Sequence, residues 1–244
     1  KHIPPQNIIF FCATGSHRQL TDKEMKTILG KEIFDWHTIV QNDARDETQF
    51  VHIANTEAGN EIFLNGEFLT CDLKILTGFI EPHMFMGFSG GGKAVVPGMA
   101  MLQTIRYNHS LEMLENEKAR WGFTTGNPLW EDVMDAVTQL PGIFLLNITM
   151  NKNKEITGVY SGALRSAHRK GCAFARQTAM VPVDKPYDLV ITTNSGYPLD
   201  LNLYQSVKGM SAAAQIVKKE GEILLAAECW DGMPFNSDYE RILM

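Results

Sequence analysis

The sequence predicts an α/β fold of two lobes with largely parallel sheets. Short apolar segments have the length and composition of buried strands, and they include residues 7–15, 73–80 and 188–194. Segments with helical signals lie between them. Buried strands that alternate with helices are typical of parallel sheets, because each parallel connection needs a crossover. A polar stretch with two prolines then separates the chain into two parts.

This stretch, "MVPVDKPYD" (180–188), is the predicted domain boundary. We therefore expect one lobe over residues 1–181 and a second lobe over residues 187–244. The chain begins without a methionine and ends in "YERILM", which is typical of the start of a helix. We therefore expect both lobes to be incomplete and the chain to be a fragment of a longer protein.

In the first part of the chain, local signals predict each element in turn. A strand over residues 7–15 is followed by "TDKE" (21–24), a capping box that opens a helix ending at Leu29. Residues 50–56 alternate weakly and predict a strand. The Asn-Gly pair inside the apolar segment 61–69 predicts a hairpin. The strand at 73–80 leads into a glycine-rich loop.

After this loop, residues 99–120 show helical spacing. Asn127 and Pro128 are a favourable N-cap and first residue for a helix over 126–140. Two strands joined by a polar turn at 151–154 come next. The remaining predicted elements are a helix at 163–179, a strand at 189–196, a helix at 203–219 and a strand at 221–229.

Composition excludes several classes of function. The chain is 44% hydrophobic and 20% charged, with a net charge of -6, and no cluster of Lys and Arg forms a basic face. We therefore expect no nucleic-acid partner. No apolar run approaches the ~20 residues that span a bilayer, so we expect no membrane partner. The widely spaced Cys12, Cys71, Cys172 and Cys229 are typical of reduced thiols, which predicts a cytoplasmic protein.

The stretch "EPHMFMGFSGGGKAVVPG" (81–98) is the densest in reactive residues. Two of its glycines and Lys93 match the nucleotide-binding pattern G-x-x-x-x-G-K. That pattern requires Ser or Thr next, for magnesium, and this chain has Ala94. It also requires a helix, which Pro97 disfavours. We therefore exclude a standard nucleotide-triphosphatase loop.

Histidines follow two of the predicted strands. His17 lies in "ATGSHR" after the first strand, and His83 follows the strand at 73–80. Ligands bind at the carboxyl ends of strands in such sheets, and a third such loop lies in the second lobe. We therefore predict a site in a cleft between the lobes. If neighbouring strands bring both histidines to one mouth, they can act as an acid/base pair on either side of a substrate.

Lys93, His109 and one helix start complete the candidate residues. Lys93 could bind phosphate as a point charge or bond covalently to a carbonyl group, and the glycines before it would let backbone N–H groups approach a ligand. His109 is suited to a metal, but its other ligands would have to come from elsewhere. Gln205 and Lys208, beside Tyr204, share a face at a helix start that suits a carboxylate. We assign no chemical role to the other histidines.

Taken together, "ATGSHR", "EPHMFMGFSGGGKAVVPG", "YNHS", "TGNP" and "YQSVK" resemble the nickel-dependent lactate racemase family of 2-hydroxy-acid racemases and epimerases. The resemblance extends over nearly the whole chain. It implies a covalently bound cofactor, the nickel-pincer nucleotide (pyridinium-3,5-bisthiocarboxylic acid mononucleotide nickel), linked to Lys93. By the same resemblance His109 is the nickel ligand, and Ser89, Gly90 and Gly91 line the cofactor, so the glycines make room for a bulky nucleotide.

The resemblance also implies an activity. His17 and His83 would be the paired acid/base groups that move the substrate hydroxyl proton while hydride passes reversibly from the α carbon to the cofactor. Tyr204, Gln205 and Lys208 would lie on the second lobe, with the last two at the substrate carboxylate. Expected partners are a small 2-hydroxy acid and the enzymes that make the cofactor. Family members extend beyond both ends of this chain.

Two alternatives remain at this point. One is a metal-independent phosphate- or nucleotide-binding protein that uses the "GFSGGGK" loop, for which Lys93 matters and His109 does not. The other is a non-catalytic relative that binds a partner through the cleft, for which neither His17 nor His83 matters.

Overall fold

The computed structural model describes residues 3–233 and 241. The chain divides into two compact units, Lys1–Met180 and Val181–Met244. The predicted helix start "YERILM" falls almost entirely outside the described residues.

The first unit contains nine strands and seven helices among its described residues. The strands are β1 (Ile9–Cys12), β2 (Thr38–Gln41), β3 (Phe50–Asn55), β4 (Glu61–Asn65), β5 (Lys74–Phe79), β6 (Pro82–His83), β7 (Gly87–Phe88), β8 (Ile143–Met150) and β9 (Ile156–Gly162). The helices are α1 (Asp22–Leu29), α2 (Lys31–Trp36), α3 (Gly66–Thr70), α4 (Leu102–Asn108), α5 (Leu111–Leu114), α6 (Pro128–Thr138) and α7 (Leu164–Ala179). Short 3-10 turns occupy Pro5–Asn7, Glu47–Gln49 and Gly91–Ala94.

The sheets of this unit are small and mixed. Strand β8 is central in a three-stranded sheet, parallel to β5 and antiparallel to β9. Strands β1 and β2 pair in parallel, whereas β3 with β4 and β6 with β7 pair antiparallel. Helix α7 packs on β8 and β9. The α/β class is therefore confirmed, and the parallel pairs are those joined through helices.

Several local predictions are confirmed because the side chains that carry them act within one turn. Thr21 caps α1 and forms the complete capping box with Glu24. Asn127 caps α6 by accepting from the Leu129 and Trp130 N–H groups. The polar turn between β8 and β9 joins two antiparallel strands, as predicted.

The predicted hairpin at Asn65-Gly66 is wrong. Asn65 ends β4 and is the N-cap of α3, where its Oδ1 accepts the Phe68 N–H at 3.1 Å. The Asn65 N–H donates to the Met99 carbonyl, so the residue is held by the chain that follows the glycine loop. Its φ of -53° lies outside the left-handed region that a two-residue hairpin turn requires. The hairpin of this segment instead joins β3 to β4.

The single helix predicted over residues 99–120 is also wrong in extent. It is divided into α4 and α5, and the break falls at His109 and Ser110. His109 is the C-cap of α4 with a φ of -103° and a ψ of 26°. The break places this histidine at a helix end, where its ring is not confined to one helical face.

A continuous apolar core lies under the glycine loop. Ile62 and Leu64 of β4, Leu145 of β8, Leu129 of α6 and Val95 of the loop itself are each 0% exposed. The loop is therefore part of the core and is not a flexible surface segment.

The second unit contains a strand–helix–strand motif: β10 (Tyr187–Thr193), α8 (Leu203–Ala213) and β11 (Val217–Ala226). The two strands are parallel, as predicted for a βαβ unit. Strand β11 begins at Val217, inside the stretch predicted as helix. Among the described residues of the whole chain, no helix is long and apolar enough to cross a membrane.

Candidate active site

The glycine-rich segment leaves the carboxyl end of β5 and folds back on itself. The strands β6 and β7, of two residues each, form an antiparallel hairpin in which His83 lies opposite Gly87. The 3-10 turn Gly91–Ala94 follows and carries Lys93. No α-helix follows the lysine before α4, which confirms the prediction drawn from Pro97.

His83 and Lys93 are in direct contact. The Nε2 atom of His83 lies 2.9 Å from the Nζ atom of Lys93, and both side chains are half-buried. The hairpin and the turn therefore bring together the predicted acid/base histidine and the predicted anchor lysine, ten residues apart in the chain.

The backbone around His83 determines which ring nitrogen carries a proton. Nδ1 lies 3.3 Å from the Phe85 amide nitrogen and 3.2 Å from that of Met86, and both N–H groups donate to it. Nδ1 therefore holds a lone pair, and the proton of the neutral ring is on Nε2, facing Lys93. This contact is favourable when Nζ is a neutral amine that accepts, since an ammonium would place two donors face to face.

Ser89 is tied into the loop by all its polar groups. Its Oγ donates to the Phe79 carbonyl at 2.9 Å and accepts the Glu81 N–H at 3.0 Å. Its own N–H donates to the Glu81 carbonyl, and its carbonyl lies 2.9 Å from His168 Nε2. Ser89 thus fastens the glycine run to the end of β5.

The three consecutive glycines have a packing reason inside the protein. A Cβ on Gly90 would lie 2.5 Å from Asn147 Oδ1, and a Cβ on Gly91 would lie 2.9 Å from the His168 ring. Gly90 and Gly91 also have φ values of +73° and +61°, which disfavour other residues. A Cβ on Gly92 would approach Val133 of α6 to 2.8 Å. Protein atoms thus occupy the space on the Cβ side of each glycine, which is a reason for glycine that does not depend on a ligand. That these glycines also make room for a nucleotide stays a prediction.

The same loop is a poor phosphate cradle. Such cradles aim successive backbone N–H groups at the ligand. Here the N–H of Ser89 donates to Glu81, that of Gly91 to Asn147 Oδ1 at 2.7 Å, and that of Lys93 to the Gly90 carbonyl at 3.3 Å. These internal bonds argue against the metal-independent phosphate-binding alternative.

His109 has the protonation state that a metal ligand needs. Burial, followed by the nearby charge of Lys93, lowers the pKa of His109 to about 4. The larger cause, burial, persists when Lys93 is uncharged. Nδ1 lies 3.3 Å from the Ile105 carbonyl, which only accepts, so Nδ1 carries the proton. The Nε2 lone pair is left for a metal, and such a bond from the other nitrogen to a carbonyl is usual for metal-bound histidine.

The lowered pKa predicts a pH-dependent contribution to stability. The unfolded histidine has a pKa of about 6.5, so between pH 6.5 and 4 the unfolded chain binds more protons than the folded chain. The free energy of unfolding should therefore fall as pH falls through this window, by up to roughly 3 kcal/mol from this group. That figure is an upper limit because the ring is only half-buried.

Denaturant titrations of metal-free protein at pH 4 to 8 would measure this contribution. His109→Asn should show a shallower fall than the parent protein. The pKa of His168 is also lowered, chiefly by burial, so the difference between the two proteins isolates His109. Equal slopes in the two proteins would contradict the assignment.

A buried polar network holds the turn before His109. The Asp132 carboxylate of α6 accepts from the Asn108 amide at 2.7 Å, the Asn60 amide at 2.9 Å and the Thr56 hydroxyl at 2.6 Å. Asp132 is 3% exposed and Asn108 is 1% exposed. This network joins the end of α4 to α6 and so limits where His109 can lie.

His17 lies on an exposed bend after β1. Its N–H donates to the Thr14 carbonyl at 3.1 Å, and the neighbouring Gly15 N–H donates to Gly98 at 3.0 Å. The His17 loop is thus joined to the far end of the glycine-rich segment.

The route by which these loops approach differs from the one expected. Strands β1 and β5 belong to different sheets among the described residues, so they do not deliver both histidines as neighbours. The Gly15–Gly98 bond brings the segments together instead. This correction concerns the scaffold and leaves the acid/base assignment of the two histidines as a prediction.

The predicted carboxylate-binding residues lie together at the start of α8 in the second unit. Asn202 caps this helix by accepting the Gln205 N–H at 3.0 Å. Tyr204 is 45% exposed, and Gln205 and Lys208 are half-buried. Gln205 and Lys208 are three residues apart on one helix face, as the spacing predicted.

Sequence reasoning missed Asn147 and His168, which contact the glycine run from β8 and α7. A polar residue at the centre of the apolar strand "FLLNITM" was a signal for Asn147, because a buried amide needs partners. His168 lacked such a signal, since its position in the polar segment "RSAHRK" is typical of an exposed helical residue.

Among residues 3–233 and 241, no group of three or more His, Cys, Asp or Glu side chains is arranged to hold a metal ion. A metal at His109 would therefore need further donors, and a metal-carrying cofactor is one source of them. The free Nε2 of His109 and the Lys93 amine next to His83 fit such a group.

Two protein-family models match the chain. The family model described as the lactate racemase N-terminal domain matches residues 1–122, and that of the lactate racemase C-terminal domain matches residues 183–243. The chain belongs to the lactate racemase family. The resemblance drawn from the motifs is thereby confirmed.

Similar individual proteins carry the same name. Lactate racemase from Thermoanaerobacterium thermosaccharolyticum is 40% identical over 226 residues, which are 93% of this chain and 53% of that protein. Lactate racemase from Lactiplantibacillus plantarum is 38% identical over 239 residues, 98% of this chain and 56% of that protein. The chain therefore spans about half the length of these curated relatives.

Solved structures extend the comparison. The structure of the lactate racemase apoprotein from T. thermosaccharolyticum matches with a TM-score of 0.88 at 40% identity, over 94% of this chain and 55% of that one. A structure of a protein from Thermotoga maritima matches with a TM-score of 0.63 at 21% identity, over 76% of this chain and 50% of that one, and shows a shared fold alone.

Proposed function

We propose that the protein interconverts the enantiomers of lactate or a related 2-hydroxy acid, using a nickel-pincer nucleotide linked covalently to Lys93. The contact between Lys93 Nζ and His83 Nε2, at 2.9 Å, carries this proposal. It joins a nucleophile to an acid/base group on one loop, in a chain of the lactate racemase family. When bound, the cofactor would supply a centre that reversibly accepts hydride from the substrate α carbon.

Lys93 is suited to form the covalent link. A lysine attacks a carbonyl-type carbon only as the neutral amine. The tautomer of His83 imposed by the Phe85 and Met86 N–H groups favours that form of Nζ.

His109 would hold nickel through Nε2. Its ring is neutral near pH 7 because burial lowers its pKa, so no proton has to leave before the metal binds. The bond from Nδ1 to Ile105 orients the ring, and the Asp132–Asn108 bond steadies the turn that carries it.

His17 and His83 would act as the acid/base pair. Each would remove the hydroxyl proton of one enantiomer and return a proton to the oxygen when the other enantiomer is formed. For His83 to remove a proton through Nε2, its own ring proton would have to move to Nδ1, which would then give up the bonds from the Phe85 and Met86 N–H groups. Tyr204, Gln205 and Lys208 would hold the substrate, with the amide and ammonium at its carboxylate. The partners we propose are the small 2-hydroxy acid and the enzymes that synthesise the cofactor.

The test uses the full-length protein coexpressed with the cofactor-synthesising enzymes. D-lactate and L-lactate are each supplied, and their interconversion is followed by chiral chromatography beside malate, longer 2-hydroxy acids and sugar acids. Nickel per chain is measured by elemental mass spectrometry. We expect interconversion of at least one acid in both directions and about one nickel per chain.

His109→Asn is the informative variant in this test, because asparagine keeps a polar side chain, though a smaller one, without the imidazole donor. We expect its nickel content to fall about tenfold or more and interconversion to be lost, while the Lys93 adduct remains. A parent protein that carries adduct and nickel but interconverts none of these acids would overturn the proposed activity. Unchanged nickel in His109→Asn would overturn the assignment of the ligand.

A further inference from the structure

Two buried polar side chains from distant elements support the loop that carries Lys93. They are Asn147 of β8 and His168 of α7, each 1% exposed. We propose that Asn147 and His168 are positioning residues that fix the position and orientation of residues 89–93 relative to β8 and α7. They thereby hold Lys93 against His83. The role of Lys93 rests on the proposed function, whereas the support of the loop can be tested without it.

Asn147 bridges the sheet and the loop through both ends of its amide. Its Oδ1 accepts the Gly91 N–H at 2.7 Å, and its Nδ2 donates to the Leu76 carbonyl of β5 at 3.2 Å. Because one partner only donates and the other only accepts, the amide orientation is determined. The close approach of Oδ1 to the Cβ position of Gly90 shows that the loop sits directly on this side chain.

His168 supports the loop two residues earlier, at Ser89. Its Nε2–H donates to the Ser89 carbonyl at 2.9 Å, and the ring stacks on Trp130 with centroids 6.3 Å apart at 14°. A carbonyl only accepts, so the neutral ring carries its proton on Nε2. Burial lowers the pKa of His168, which keeps the ring neutral. A Cβ on Gly91 would lie only 2.9 Å from this ring, so loop and histidine fit each other closely.

The support is transmitted to Lys93 through a short, bonded turn. The Lys93 N–H donates to the Gly90 carbonyl, and the Lys93 carbonyl accepts the Gly98 N–H at 3.0 Å. Gly91 lies only two residues before the lysine, so a shift at Gly91 moves the lysine backbone with it. Reacting groups misplaced by about 1 Å lose most of their effect.

A merely structural role is the competing explanation, since any buried hydrogen bond stabilises the fold. Two matched variants separate the explanations at His168. His168→Phe keeps a ring for stacking on Trp130 but has no N–H donor. His168→Gln can place an amide N–H near the position of Nε2. If the hydrogen bond to the Ser89 carbonyl positions the loop, His168→Gln should restore the loop structure that His168→Phe loses.

Asn147→Leu and Thr149→Val form the second matched pair. Asn147→Leu removes both amide bonds and keeps the branch at Cγ. Thr149 is on the same strand and face, 3% exposed, and its hydroxyl lies 2.9 Å from the Thr157 hydroxyl and not from the loop. Thr149→Val therefore removes a buried hydrogen bond of the same sheet without touching the glycine run.

The first measurement is amide hydrogen exchange of peptides covering residues 87–93 in full-length, cofactor-free protein. We expect exchange to be about tenfold faster or more in His168→Phe and Asn147→Leu. Exchange in His168→Gln and Thr149→Val should stay close to that of the parent. The melting temperatures of His168→Phe and Asn147→Leu should be similar to that of Thr149→Val. If His168→Phe and Asn147→Leu both showed the same loop exchange as Thr149→Val, the proposal would be overturned.

The second measurement is the fraction of Lys93 that carries the adduct after coexpression with the cofactor-synthesising enzymes. It should fall severalfold in His168→Phe and Asn147→Leu and recover in His168→Gln. Faster loop exchange with an unchanged adduct fraction would overturn the positioning of Lys93. A parent protein without adduct would refute the proposed function, and the exchange data would still decide the support of the loop. If Asn147→Leu does not fold, the two His168 variants decide.

Discussion

Lys93→Arg should abolish the covalent adduct and reduce interconversion of the 2-hydroxy acid by at least ~10³-fold. Arginine fills a similar volume, but its guanidinium is permanently protonated and cannot attack a carbonyl-type carbon. The His83 ring would then face a permanent cation instead of an amine. Peptide mass mapping around residue 93, in protein coexpressed with the cofactor-synthesising enzymes, measures the adduct directly.

This substitution also separates the two chemistries first considered for the loop. A lysine that binds phosphate only as a point charge is replaced well by arginine, which binds phosphate bidentately. Retained nucleotide binding and activity in Lys93→Arg would therefore support the phosphate loop and refute the covalent anchor. Lys152→Arg, an exposed lysine in the turn between β8 and β9, is the control and should behave like the parent.

His17→Asn should lower kcat for interconversion by about 10²–10⁴-fold while leaving the adduct and the nickel in place. The reason is that His17 is proposed to move a proton, and it lies on the loop after β1, outside the segment 81–98 that carries the anchor lysine. His17 is preferred to His83 for this test, because a change at His83 would also release Lys93. Initial rates from D- and from L-lactate, with nickel and adduct measured on the same samples, give the result.

His52→Asn is the matched control for this measurement. His52 is also exposed, and its Nε2 lies 3.0 Å from Asn55 Oδ1 on β3, far in sequence from the loop. It should keep the rate of the parent. Near-parental rates in His17→Asn would remove this residue from the acid/base pair, and loss of the adduct would show that its role is structural.

Local signals in the sequence were enough for most of the secondary structure. The capping box of Thr21 and Glu24 and the cap of α6 by Asn127 act within three residues, so the sequence pattern contains both partners. The same holds for the absence of a long helix after Lys93. Asn65 shows the limit, because its Asn-Gly pair suits both a hairpin and a helix cap. The bond from its N–H to Met99, 34 positions away, is part of the arrangement that selects the cap.

The same distinction between local signals and long-range contacts applies to the candidate site. The motifs alone indicated Lys93, His83, His109 and His17 and led to the family that the comparisons confirm. They indicated which residue types are present, because a nucleophile, acid/base groups and a metal donor are properties of single side chains. They did not show that the lysine and the histidine of one loop meet at 2.9 Å.

The sequence by itself thus determined the α/β class, most elements and the reactive residues, since each depends on short-range patterns or on side-chain chemistry. Only the tertiary structure shows why the loop needs glycine at positions 90–92. Asn147 and His168 contact the loop across 56 and 79 positions of sequence. No local pattern records such distances, because the bonds form only when β8 and α7 pack beneath the loop and exclude water from it.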